Sequence, residues 1–144
     1  MYSPPLCQRV LDVGTYLRFK SVIKPDLIEL ATIATARERD CPYVYAAHAP
    51  AARKAGASEA AITAVRDRGD VSGLGTDERE VVQYVREQLR ANRVSQGLFD
   101  SLQGRHGTQW LVELTCLMGH YNVVTGVLNA FEVAPAADAE VLPL

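Results

Sequence analysis

Three residues in the first third of the chain carry the side chains of proton-transfer and thiol chemistry: Glu29, Cys41 and His48. Cys41 directly precedes Pro42, and proline favours the first position of a helix. That puts Cys41 at the helix N-cap, where free backbone N–H groups and the positive end of the dipole favour a thiolate. Cys41 is accordingly expected to be the most reactive of the three thiols. His48 follows seven residues later. At about 100° per residue it returns to within about 20° of Cys41, roughly 10 Å along the axis. Val44 and Tyr45 fall between them on the same stripe and are expected to line a substrate pocket with His120. The gap between thiol and imidazole is too long for contact, so another group or a substrate must lie between. Pro50, further along the same helix, frees the carbonyl of Ala46 as a hydrogen-bond acceptor.

Glu29 lies in "PDLIELATIATARERD", a helix with Leu27, Ile28, Leu30, Ala31, Ile33 and Ala34 around nearly its whole circumference. A buried carboxylate needs a partner or takes up a proton, and with an imidazole beside it forms a general acid/base pair. Each residue alone has a plainer reading: a buried cysteine as a small hydrophobe, a structural histidine, a glutamate complementing a helix dipole. Asp26 already fills that last role nearer the helix start. If the two helices pack antiparallel, Glu29 and His48 face each other with an axial mismatch of ~8 Å, which two long side chains and a crossing angle can span directly or a water can bridge.

The elements that must hold these residues read as helices throughout, and no stretch alternates with period two. The first runs from about Pro5 to Phe19, with Leu6, Val10, Val13 and Leu17 on one face. The second spans Pro25 to about Arg39, and the third Pro42 to a stop at Gly56. Ser58 caps a fourth helix, which Gly69 closes. Residues 69–75 supply a glycine-rich connection, after which Thr76 caps a fifth helix with an acidic first turn. A short helix covers Ser95 to Gly104, and a long one Thr108 to about Phe131. The tail, about 134–144, has no periodicity and reads as a loosely docked arm. The expectation is one all-α domain over residues 1–144, a helical bundle.

With 144 residues, 48% apolar and 22% charged, the chain suits a single globular domain. A net charge of −2 without any basic block argues against nucleic-acid and membrane-surface partners. "MYSPPLCQRV" lacks a charged segment followed by an apolar one, so no secretory signal is expected. The uncharged run Leu114 to Phe131 approaches membrane-spanning length, but His120, Asn122 and Asn129 favour a buried or subunit-facing helix. Cys7, Cys41 and Cys116 form no CxxC pair and point to a reducing, cytoplasmic setting. No metal is expected, because the cysteines and histidines show no ligand spacing. The last helix has Trp110, Leu111, Leu114, Leu117, Met118, Val123, Val124, Val127 and Phe131 on more than one face, which predicts a homo-oligomer.

The spacing of Glu29, Cys41, Val44 and His48 resembles the carboxymuconolactone decarboxylase and alkylhydroperoxidase D superfamily. Its peroxidase branch carries a glutamate, a cysteine twelve residues on, a second cysteine three later and a histidine four after that, the same intervals as here. "DCPYVYAAHAPAARKAGASEAAI" resembles the motif helix and the following cap, and "LVELTCLMGHYNVVTGVLNAFEV" the closing helix. The likeness covers about Pro4 to Val133. Val44 replaces the second cysteine, so the dithiol of the peroxidase branch is absent, and valine cannot resolve a sulfenic acid. Relatives with an acidic residue followed by an aromatic one at this place are also not matched, since Val44 precedes Tyr45. The resemblance implies an all-α subunit in homotrimers or homohexamers, with no metal or organic cofactor. It implies a small-molecule substrate and a lyase acting on an organic acid or lactone by proton transfer, decarboxylation being the type case. His48 would then move the proton, Glu29 orient or share it, and Cys41 line the pocket or assist. The alternatives are a thiol peroxidase using Cys41 with an external thiol, and a non-catalytic helical oligomer that binds a ligand or partner.

Overall fold

The computed structural model describes residues 3–144. The first two residues of the N-terminal segment read above lie outside it. The described residues form seven helices and no strand: α1 (Pro4–Phe19), α2 (Pro25–Glu38), α3 (Pro42–Ala55), α4 (Glu59–Arg66), α5 (Thr76–Ala91), α6 (Gln96–His106) and α7 (Thr108–Ala130). Proline opens the first three, at Pro4, Pro25 and Pro42.

The bundle is organised around α2, which packs against α1, α3, α4, α5 and α7. All residues from Leu30 to Arg37 are buried, as are Leu27 and Ile28. Each leucine or isoleucine sealed there contributes about 1.5–3 kcal/mol relative to exposure. The two buried hydroxyls, Thr32 and Thr35, donate to the carbonyls of Ile28 and Ala31, both at 2.8 Å, so neither is left unpaired.

The turn from α2 to α3 brings the two helices close together. Asp40 takes a left-handed conformation (φ 46°), and the Cys41 N–H reaches back to the Ala36 carbonyl at 2.9 Å. This Schellman-type closure usually employs glycine. Here the Asp40 carboxylate accepts from Arg68 at 2.8 Å and from Arg37 at 3.3 Å. Gly56 ends α3 in the same manner at φ 105°. Ser58 caps α4 as predicted, accepting from the Ala61 N–H at 3.1 Å, and Glu78 of α5 accepts from both its N–H and its hydroxyl.

Several expectations need correction. Gly75, not Thr76, occupies the cap position of α5, and no side chain caps that end. The residues 69–75 are anchored by Val71, which is buried in the core. In α1 only Gly14 and Leu17 are buried, and Leu6 and Val13 remain 60% and 51% exposed. α1 lies at the edge of the bundle, packing mainly on α7, and has little neighbouring surface to cover it. The tail is firmly docked. Leu142 is buried, Arg37 donates to the Pro143 carbonyl, and Glu140 receives Arg53 at 2.6 Å. α7 is long and apolar enough to cross a membrane by length and composition. Its first half is core, with Trp110, Leu111, Leu114, Leu117 and Met118 buried, while Val123, Val127 and Phe131 are exposed.

Candidate functional site

Glu29 and His48 meet directly. The imidazole Nδ1 lies 2.6 Å from Glu29 Oε2, and both side chains are 13% exposed. The expected axial mismatch is thus closed by the side chains themselves, without an intervening water. A carboxylate at Nδ1 holds the ring proton there and leaves Nε2 as the acceptor. On that side the Tyr121 hydroxyl of α7 stands 3.3 Å away, its ring edge-on to the imidazole with centroids 5.1 Å apart. Burial, and to a smaller degree the Glu29 charge, push the Tyr121 phenol up to about 12, so it remains protonated at neutral pH. It donates towards Nε2.

Arg18, in the last turn of α1, completes the group. Its Nη2 lies 3.9 Å from Glu29 Oε1, and its guanidinium stacks over the Phe19 ring at 4.8 Å from the centroid. His120 lies beside Tyr121, ring edge to face with centroids 5.1 Å apart. Burial, then the Arg18 charge, hold His120 below its ordinary value, so it is neutral at pH 7. Gly14 of α1 makes room for it, since a Cβ there would lie 2.7 Å from His120 Nε2. Four helices therefore converge on one acid–base cluster. The Tyr16 hydroxyl and the Val22 N–H both donate to Glu113 of α7, at 3.0 and 2.9 Å, and so fix the end of α1 that carries Arg18.

Cys41, Val44 and Tyr45, the other expected site residues, form no hydrogen bond with Glu29 or His48. Cys41 is at the N-cap of α3 as predicted, but it is fully buried and makes no side-chain bond to the helix end. This burial weighs against the expectation that it is the most reactive thiol, for Cys116 is exposed and Cys7 partly so. Val44 is buried in the core. Tyr45 is fully buried, and its hydroxyl donates to Glu140 of the tail at 3.3 Å, so its polar end serves the docking of the tail. Pro50 lies within α3 and is exposed. The expected pocket does not coincide with the molecule's surface clefts at Glu59–Asp70, at Gln88–Asn122 or at Pro42–Pro135, none of which is lined by Glu29 or His48. Arg18 and Tyr121 were not foreseen. Tyr121 adjoins His120 in "GHYNV", and Arg18 is a single cation amid apolar neighbours in "YLRF", which are the faint signals that the sequence offers.

The fold is shared with a protein of unknown function from Agrobacterium tumefaciens, for which a role in antioxidant defence as an AhpD has been suggested. The TM-score is 0.83, with 95% of this chain and 94% of that chain covered at 16% identity, a likeness of fold alone. No curated protein matches the chain in sequence. The sequence profile of the carboxymuconolactone decarboxylase family matches residues 4–87, and the chain belongs to that family.

Proposed function

We propose that this chain is a cofactor-independent enzyme that moves a proton on a small organic acid or lactone, decarboxylation being the type case. The observation that carries this reading is the 2.6 Å contact of Glu29 with His48 Nδ1. Family membership supports it, since the family is named for a decarboxylase. His48 Nε2 is the proton acceptor. Glu29 holds the tautomer and stabilises the imidazolium that forms. The Tyr121 hydroxyl, at 3.3 Å, is a weakly held partner that a substrate displaces or that returns the proton. A thiol peroxidase centred on Cys41 requires a thiolate that peroxide can reach. The complete burial of Cys41 and the valine at 44 disfavour it.

The test is proton exchange from a panel of organic acids and lactones in deuterated water, followed by NMR. Glu29→Gln and His48→Gln are expected to lose about a hundredfold or more in rate while their circular dichroism and melting stay near wild type. Near-normal exchange in both variants would refute the assignment.

A further inference from the structure

We infer that Arg18 is the specificity-determining residue of the Glu29–His48 site, and that it selects a ligand bearing a carboxylate. This rests on the function proposed above. Nearly all the arginines of the chain are committed by hydrogen bonds to carboxylates, carbonyls or amides. Among the described residues Arg18 and Arg79 are the two that make none, and Arg18 is the one at the acid–base cluster. Its Nε is buried without a partner. Its distance of 3.9 Å to Glu29 is an ion pair but not a hydrogen bond, and the Glu29 oxygen bonded to His48 is the other one.

An unpaired buried donor is costly, and an arginine retains five donors in a planar fork that matches a carboxylate. The guanidinium carbon sits over the Phe19 ring, and the Arg18 side chain is 35% exposed where the pair behind it is 13% exposed. It is the outermost charged group of the cluster, so an incoming molecule meets it before the imidazole. A carboxylate bound in the fork would set the rest of the molecule against Tyr121 and His48 Nε2. His120, the other polar ring nearby, is neutral and offers no competing charge.

The experiment uses three probes of one shape and different charge: benzoate, benzamide and benzamidinium. Their affinities for the full chain are measured by NMR titration, with the Arg18 Nε–H and the His48 ring resonances as local reporters. Benzoate is expected to bind about tenfold or more tightly than benzamide, as a charge-assisted pair implies, and benzamidinium weakest. Arg18→Gln should abolish the preference for benzoate while leaving benzamide unchanged, and Arg18→Lys should restore part of it. A preference that survives Arg18→Gln, equal weakening of all three probes, or no benzoate binding to the folded wild type would each overturn the inference. The same titration in His48→Gln separates this idea from the proposed reaction. There proton exchange is expected to be lost while the charge preference remains. A preference for benzoate in a protein without exchange activity would sink the reaction and leave Arg18 standing.

Discussion

A carboxylate held against an imidazole is useful for proton transfer only if the opposite ring nitrogen has a weak or replaceable partner. His48 meets that condition, with 2.6 Å on the Glu29 side and 3.3 Å on the Tyr121 side. Both members of the pair could be found from the sequence, because a glutamate inside an apolar helix requires compensation and the chain supplies an imidazole on the next helix. The environment of Cys41 could not. An N-cap position specifies which backbone groups a side chain can meet but not whether neighbouring helices seal it. Arg18 and Tyr121 depended on how α1 and α7 pack across ninety and more residues of intervening chain, which no local pattern encodes. The thiols give a direct check. Alkylation of the native protein, read by mass spectrometry, should modify Cys116 first and Cys41 last, and the rates should converge in denaturant. Fast labelling of native Cys41 would contradict its burial and reopen the thiol reading.

At the level of elements, the prolines at 25 and 42, the serine at 58 and the glycine at 56 announced where helices start and stop. These are short-range signals with short-range causes. The docking of the tail had no such signal, since it depends on Arg37 and Arg53, which lie far off in the chain. The tie between α1 and α7 is of the same kind. Against the opposing effect of burial, hydrogen bonds from Gln109, Ser21, the Val22 N–H and Tyr16 hold the Glu113 carboxyl down to about 2. A carboxyl with a depressed folded value adds stability that is complete above its unfolded value and lost as pH falls through the folded one. From an ordinary value of 4.5, that contribution is present at neutral pH and should disappear between about pH 4.5 and 2. Glu113→Gln should melt lower at pH 7 and show a shallower loss of stability over that acid range. Calorimetry giving parallel pH profiles for the two proteins would show that the tie contributes nothing.

For the molecule as a whole, the second half of α7 leaves Val123, Val127 and Phe131 exposed, and α1 adds Leu6, Leu11 and Val13. Apolar surface of this extent is rarely left to water by a lone subunit. We propose that copies of the chain assemble through it, as trimers or hexamers. Phe131→Glu with Val127→Glu should shift light scattering from oligomer towards monomer, and a wild type already monomeric at micromolar concentration would exclude the assembly. The seating of α2 against five other helices has a further consequence, for the lifetime of the cluster. Glu29 lies on the helix with the most buried residues, and Arg18 on an edge helix with two. Local openings span free energies from near zero to that of global unfolding. The Arg18 side chain is therefore expected to rearrange more often than the carboxylate and imidazole behind it, over the lifetime of one folded state.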